Sequence, residues 1–506
     1  MKIKNIIIAG LSAIFLYQPA TADDLVIMHT NDVHGNIVPE KAKYAGGIAR
    51  RKVVIDSIRK AEKHTLLVDA GDDVQGFLYF TAFGGEVEYG GMNKLGYDIV
   101  TIGNHEFDNG LEALAKNYKI LKAEKICANY NFDKTPLKGM TKEYVIKKFD
   151  DKKIAFIGIG CQPEGMILPG NRIGMEYKDA AFVADSIATM LKNKGKADYV
   201  IVLSHIGYKT SRPNLPCDSL LALNSKDIDV IIGGHSHTKI DPKEGKHQNI
   251  FENKKGKKVL VAQTGGNGEY LGVITIDLDD LDEEPESELI KIDARYDDRT
   301  DPKIAEWLKP YDKGVEKMKQ IIIGKSAAEY PNRGTNPLSN WVADKIYEIG
   351  ETVTDKHIDF AIGNKGGIRK PLPKGDISLG LIHTMLPFEN YVNVIELDGK
   401  TIIDAFDIMA SHDGDAVSKH IKATFKNKKT TEILINGKPI DPNRTYIIAT
   451  ISYLYEGGDN MEPLTKAKLI GKTEVSLKYS MIDIIKEMTK NNQQINPDPT
   501  PRMFFE

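Results

Sequence analysis

Five short polar clusters in the first half of the chain carry side chains that bind cations or move protons. They are Asn31-Asp32-Val33-His34-Gly35, Gly71-Asp72-Asp73, Gly103-Asn104-His105-Glu106-Phe107-Asp108, Ser204-His205 and Gly233-Gly234-His235-Ser236-His237. The donors are carboxylates, imidazoles and one amide oxygen, with no thiolate. That set suits Zn, Mn or Fe, and also admits Co or Mg. Asp32/His34 and His235/His237 are spaced i, i+2. On an extended segment such side chains point the same way, so each pair could chelate one ion. Asp72 has two carboxylate oxygens and could bridge two ions. Two cations about 3.5–4 Å apart would clamp the attacking and leaving oxygens of an in-line displacement at phosphorus. His105 could stabilise the transferring phosphoryl group or the leaving oxygen. Asp108, one helical turn on, could hold that imidazole protonated. Asn104 supplies an oxygen without added negative charge. Each motif alone is short and common. Five in one region, holding five of the 12 histidines of the chain, form a constellation.

The clusters share a position. Leu25–Met28, Leu66–Val68, Ile99–Ile102, Ile154–Ile157, Val200–Leu203 and Val230–Ile232 are short, apolar and rich in β-branched residues, as buried strands are. All but the Ile154–Ile157 run lead directly into a cluster. Gly47–Lys63 and Asp179–Lys194 have helical periodicity. Strands alternating with helices predict a layered α/β domain with its ligand site at the carboxyl ends of the strands. Residues 279–300 are acidic and read as irregular. Residues 302–319 read as an amphipathic helix with Ile304, Trp307, Leu308 and Val315 on one side. Beyond it, helices at Asn336–Ile349 and Gly399–Ala410 mix with strands at Asn393–Leu397 and Thr445–Ala449.

That second half has its own polar groups: Asn364-Lys365-Gly366-Gly367-Ile368-Arg369, Leu386-Pro387-Phe388-Glu389-Asn390 and Ser452-Tyr453-Leu454-Tyr455-Glu456-Gly457-Gly458-Asp459. Two aromatics could stack on a planar base, each worth about 1–3 kcal/mol. An acid could accept from ribose hydroxyls. An arginine could grip an anion bidentately.

Taken together, Asp32-x-His34, Gly71-Asp72, Gly103-Asn104-His105-Glu106, His205 and Gly234-His235-Ser236-His237 resemble the calcineurin-like metallophosphoesterases. The longer strings His29-Thr30-Asn31-Asp32-Val33-His34-Gly35 and Gly103-Asn104-His105-Glu106-Phe107-Asp108-Asn109-Gly110 resemble the secreted 5′-nucleotidases of bacterial periplasms and animal cell surfaces. The resemblance implies a layered metallophosphoesterase β-sandwich flanked by helices over residues 24–295. A linker helix at 296–320 and a smaller α+β substrate-binding domain at 321–506 would follow. It implies two divalent ions, one held by Asp32, His34, Asp72 and His237 and the other by Asp72, Asn104, His205 and His235. It implies a His105–Asp108 catalytic dyad, and a nucleoside site of Asn364, Arg369, Phe388, Asn390, Tyr453 and Asp459, with Arg333 nearby. A rotation of the second domain is part of the same resemblance. Tyr453 stands where a Phe is usual and Glu389 where a small residue is usual. These departures bear on substrate breadth more than on reaction type.

The implied activity is removal of the 5′-phosphate from nucleoside monophosphates such as AMP. A broader hydrolase of 2′,3′-cyclic nucleotides, nucleotide sugars or dinucleotides is the alternative, with a non-catalytic nucleotide-binding surface protein behind it. The chain's 506 residues include 68 Lys and Arg against 71 Asp and Glu, which gives no support to binding of a nucleic-acid polymer. Lys2 and Lys4, the apolar run Ile6–Tyr17 and Ala20-Thr21-Ala22 predict a signal peptide over 1–22, cleaved near Ala22. Export to the periplasm or medium, without a stable membrane anchor, follows from that reading. A monomer or homodimer is expected. Cys127, Cys161 and Cys217 allow at most one internal disulfide.

Overall fold

The computed structural model describes residues 24–506 apart from 40–43, 77, 164–165, 168, 211–214, 334–335, 387 and 389. The predicted signal segment and Glu389 lie outside the described residues. By internal contacts the chain forms two units. One comprises residues up to 73, 88–162 and 173–306; the other comprises 74–87, 163–172 and 307–506. The division falls inside the helix Pro302–Lys319, in which Ile304, Leu308 and Val315 are buried.

The first unit is built on two six-stranded mixed sheets. In the first, Asp24–Thr30, His64–Asp69, Ile99–Val100 and Glu124–Lys125 run parallel. Tyr270–Asp277 and Glu286–Lys291 close one side antiparallel. In the second, Lys152–Gly160, Tyr199–His205, Val230–Ile232 and Lys258–Ala262 run parallel between antiparallel edges at Tyr144–Phe149 and Ile250–Glu252.

The strand sequences explain why both sheets are covered. Ile154 and Phe156 share one buried cluster with Leu25, Ile27 and Val68 of the first sheet. The alternate residues Ala155 and Ile157 share another with Ala180, Ala184, Ala188 and Leu191 of the helix Ala180–Asn193. Alternation puts successive side chains on opposite faces, so a run apolar at every position must be buried on both. The i, i+4 alanines let the helix backbone lie close to the sheet.

Two details differ from the sequence reading. The acidic stretch at 279–300 contains the strand Glu286–Lys291, paired with Tyr270–Asp277. Its half-buried, charged alternation suits an edge strand that must resist further pairing. The strand expected over Ile99–Ile102 is shorter, Ile99–Val100; the Thr101 N–H still donates to the Asp69 carbonyl (3.0 Å), and the loop carrying Asn104 and His105 follows.

The second unit holds a five-stranded sheet ordered Ala416–Val417, Phe360–Gly363, Thr445–Ile451, Tyr391–Asp398, Lys468–Ser476. A four-stranded sheet runs Lys438–Pro439, Lys429–Ile435, Ile421–Lys426, Met503–Phe505, the last strand parallel to its neighbour. The helix Pro337–Gly350 packs on the larger sheet and starts with a capping box between Asn336 and Ser339. Cys127, Cys161 and Cys217 are buried free thiols, so the one bridge the count allowed does not form. No helix among the described residues is long and apolar enough to cross a membrane.

Phe156 is fully buried between the two sheets. Phe156→Ala is expected to destabilise the first unit by about 3–5 kcal/mol, read as a lowered urea midpoint for its unfolding transition.

Candidate active site

Register brings the polar clusters level. Thr30 pairs with Asp69 and Asp69 with Val100, so three loops leave the first sheet side by side. Gly160 pairs with His205, and Leu203 with Ile232, so His205 ends its strand beside the loop carrying His235 and His237. Asp32 N–H donates to the Gly71 carbonyl (2.9 Å) and His34 N–H to that of Asp72 (3.0 Å).

The structure groups Asp32, His34 and His237 as one possible cation site, and Asp72, His205 and His235 as another. The backbone does this differently from the extended pairs expected of i, i+2 spacing. Asp32, His34, Asp72, His235 and His237 all have positive φ, from 49° to 73°. Asp32 and His34 nonetheless fall in one group, whereas His235 and His237 fall in different groups. Left-handed geometry at a non-glycine residue costs about 1–2 kcal/mol, and its clustering at donor residues marks a functional site. Gly71 permits the crowding: a Cβ there would lie 2.5 Å from the Gly103 nitrogen.

The donors are spaced as ligands of shared cations would be. His34 Nε2 and His237 Nε2 are 2.9 Å apart, and His237 Nε2 is 3.4 Å from Asp32 Oδ1. His205 Nε2 lies 3.0 Å from Asp72 Oδ2, and Asn104 Oδ1 lies 2.9 Å from His235 Nδ1. For ligand distances near 2.1 Å, polyhedron edges are about 3.0 Å when octahedral and about 3.4 Å when tetrahedral. His205 Nδ1 donates to the Ala70 carbonyl (2.7 Å), which aims Nε2 at Asp72. Fully buried, that Nε2 faces the Asp72 carboxylate, at 3.0 Å. Facing lone pairs of this kind call for a positive charge between them, and the residues fit divalent ions.

Electrostatics agree. Burial together with the neighbouring His205 lowers His235 to about 3, and burial with His237 lowers His34 to about 4, so both rings are neutral donors. Burial opposes charge on Asp72, but His205, His105 and His34 hold its carboxyl well below the usual range. Burial also opposes charge on His205, but Asp72 and Asp32 raise it to about 10. Without a cation, the proton on His205 takes the place of one.

His105 stands beside this array, its ring 5.3 Å from that of His34. Its Nδ1 donates to Asp108 Oδ2 at 2.9 Å, and its backbone N–H donates to Asp72 Oδ1 at 2.9 Å. The Asp108 side chain is 34% exposed while His105 is buried, so the imidazole is fixed from its solvent side.

Several supporting residues escaped the sequence reading. Glu106, fully buried, accepts from the backbone N–H groups of Asp72 (3.0 Å), Asp73 (3.0 Å) and Gly103 (2.6 Å). Asn31 donates to Asp32 Oδ2 and the Gly265 carbonyl while accepting from Thr264. Gln263 accepts from the Thr238 N–H and donates to the Gly234 carbonyl. Ser204 Oγ donates to the buried Asp218 carboxyl at 2.6 Å. Glu106 and Asn31 stood inside motif strings; Gln263 and Thr264 follow a strand with no chemical signature.

In the second unit, Asn364, Phe388 and Asn390 line one cleft with Ile368, Leu386 and Lys478. Phe388 and Tyr453 are 45% and 41% exposed, which suits stacking platforms rather than core. The Arg369 guanidinium lies 5.0 Å over the Phe388 ring. Asn390 Oδ1 accepts from the Tyr453 N–H (3.2 Å), and Asn364 Nδ2 donates to Asp459 Oδ2 (3.1 Å). Arg333 is exposed, and among the described residues its side chain is not joined to this group. Asn336, three residues on, caps a helix and donates back to the Arg333 carbonyl.

Comparison with known proteins matches this arrangement. Residues 25–239 match the calcineurin-like phosphoesterase family, so the first unit is a metallophosphoesterase. Residues 317–466 match the 5′-nucleotidase C-terminal domain. Across both units the chain is similar to the 5′-nucleotidases. It is 27% identical over 522 residues to a 5′-nucleotidase of Vibrio vulnificus, covering 94% of this chain and 92% of that one. It is 29% identical over 500 residues to the trifunctional nucleotide phosphoesterase YfkN of Bacillus subtilis, covering 88% of this chain but 32% of that longer protein. The crystal structure of a 5′-nucleotidase precursor from Thermus thermophilus superposes with a TM-score of 0.61 at 25% identity, covering 95% of this chain and 99% of that one.

Two outcomes follow for ion binding. Glu106→Gln replaces an all-acceptor group with one that must present N–H to a backbone N–H. It is expected to weaken divalent-ion affinity about 10–100-fold, measured by calorimetric titration of the metal-free protein. His205 is raised, so its stabilising charge is present below its ordinary pKa and is lost as pH rises through about 10. Ion uptake at pH 7 therefore expels that proton, and affinity rises with pH. Heats of binding compared across buffers of different ionisation enthalpy measure the release.

Proposed function

We propose that this chain is a two-metal 5′-nucleotidase that releases inorganic phosphate from nucleoside monophosphates such as AMP. The observation that carries the reading is the pair of adjacent donor groups, Asp32/His34/His237 and Asp72/His205/His235, with the His105–Asp108 hydrogen bond beside them. Asn104 would complete the second group, and Asp72, whose charge is felt by both His34 and His205, would be shared. Bound ions would supply Lewis acidity toward phosphoryl oxygens and lower the pKa of a water nucleophile. His105, with Nδ1–H given to Asp108, presents Nε2 toward the phosphoryl group or the departing 5′-oxygen, where its proton offsets developing charge. In the second unit, Phe388 and Tyr453 would hold the base, Asp459 and Asn364 the sugar, and Arg369 an anionic group, with Asn390 fixing Tyr453.

The donor set leaves the ions open among Zn, Mn, Fe, Co and Mg, which geometry and supply decide. We infer from the predicted leader that the mature enzyme works in the periplasm or medium, and a monomer or homodimer is expected. A second reading, a broader nucleotide phosphoesterase, is favoured by the similarity to the trifunctional nucleotide phosphoesterase and by the hydroxyl of Tyr453.

The test is phosphate release from AMP by the metal-depleted chain, with and without added Zn, Mn, Fe, Co or Mg. Metal-dependent release is expected, with Asp108→Ala lowering kcat about 10²–10⁴-fold. No release with any of the five metals would sink the reading. Activity greater on 2′,3′-cyclic AMP, a nucleotide sugar or a dinucleotide than on AMP would favour the broader one.

A further inference from the structure

One hydroxyl in the second unit is tied twice to the same residue. Tyr453 Oη donates to Asp459 Oδ1 at 2.9 Å and accepts from the Asp459 backbone N–H at 3.3 Å. Asp459 is in the left-handed region, with φ 51°, and Asn460 follows it there at 63°. Gly458 packs against the Tyr453 ring so closely that a Cβ would lie 2.5 Å from it. The other end of the tyrosine is fixed by its N–H to Asn390. A phenylalanine would keep the ring and lose both bonds to Asp459.

These contacts orient an acceptor. Asp459 receives Tyr453 O–H on Oδ1 and Asn364 N–H on Oδ2. Each carboxylate oxygen has two lone-pair directions, so one remains on each. Two adjacent free acceptor directions, held by a neutral donor on either side, match two adjacent hydroxyl donors of a ligand. They repel an anionic group. A vicinal diol fits that pattern, and a sugar lacking one of its hydroxyls leaves one acceptor unmatched.

We propose that the Tyr453 hydroxyl is a specificity-determining group: by holding Asp459 in its left-handed turn with the carboxylate fixed beside Asn364, it makes this pocket select ligands whose sugar carries both the 2′- and the 3′-hydroxyl. The proposal rests on the reading of this cleft as the nucleoside site. Tyr453 acts through Asp459 and is a positioning residue.

The experiment compares AMP with 2′-deoxy-AMP, and adenosine with 2′-deoxyadenosine, on the full chain carrying Tyr453→Phe, Asp459→Ala or both. Hydrolysis gives kcat and KM, and calorimetry of the two nucleosides reads binding independently of turnover. The wild type is expected to favour the ribo form. Tyr453→Phe should reduce that preference about three- to tenfold, through KM rather than kcat. In the Asp459→Ala background the same change should have no further effect on the preference. A wild type that does not distinguish the two sugars overturns the proposal. So does a Tyr453→Phe variant that loses affinity for both sugars equally, as a merely structural role for the hydroxyl would produce. Preference in nucleoside binding that falls with Tyr453→Phe, with no phosphate release from AMP, supports the proposal while removing the nucleotidase reading.

Discussion

Three backbone N–H groups from two strand-end loops converge on one buried carboxylate, Glu106, and the geometry of the site follows from that. The loops at 71–73 and 103–106 would otherwise present unpaired donors in a dry interior. Tied to one side chain, they hold Asp72 and Asn104 at a fixed separation. Asp72 in turn fixes the backbone of His105, and its loop fixes those of Asp32 and His34. Three separate strand ends thus share one frame. A donor cluster needs this, because two carboxylates and four imidazoles crowded without a cation repel or compete for protons.

The frame also sets the charges. Burial keeps His34 and His235 neutral while the two aspartates remain ionised. Neutral imidazole beside carboxylate is the state a divalent ion binds, so the fold prepares His34 and His235 before any ion arrives, while His205 gives up its proton on uptake. The second unit works by a different rule. Its aromatic groups are exposed and its amides half-buried, and Asn364, Asn390, Tyr453 and Asp459 are held by hydrogen bonds among themselves.

Much of this was legible in the sequence, for specific reasons. Runs such as Val200–Leu203 are apolar at every position, and histidine or aspartate just past such a run is chemically conspicuous. The helix at 302–319 was legible from its periodicity. What was not legible depends on distant contacts. Glu106 reads as an ordinary acid until three N–H groups from two loops point at it. Spacing alone suggested that His235 and His237 act as a pair; the family resemblance divided them between two ions, and the structure puts them in different groups. The strand Glu286–Lys291 hides in an acidic stretch because its partner, not its own composition, makes it a strand. The allegiance of residues 74–87 and 163–172 to the second unit leaves no local signal at all.

The four-stranded sheet of the second unit is closed by Met503–Phe505, lying parallel to Ile421–Lys426. Its other strands are finished long before this one is synthesised. Until Met503–Phe505 docks, the strand Ile421–Lys426 has an open edge, with Phe425 lacking the ring of Phe505 that later packs 5.0 Å away. The strands of the first unit's two sheets are all complete by residue 291, so those sheets can form while translation continues. The four-stranded sheet of the second unit must wait for Met503–Phe505, so a change in those three residues acts on the folding of this unit.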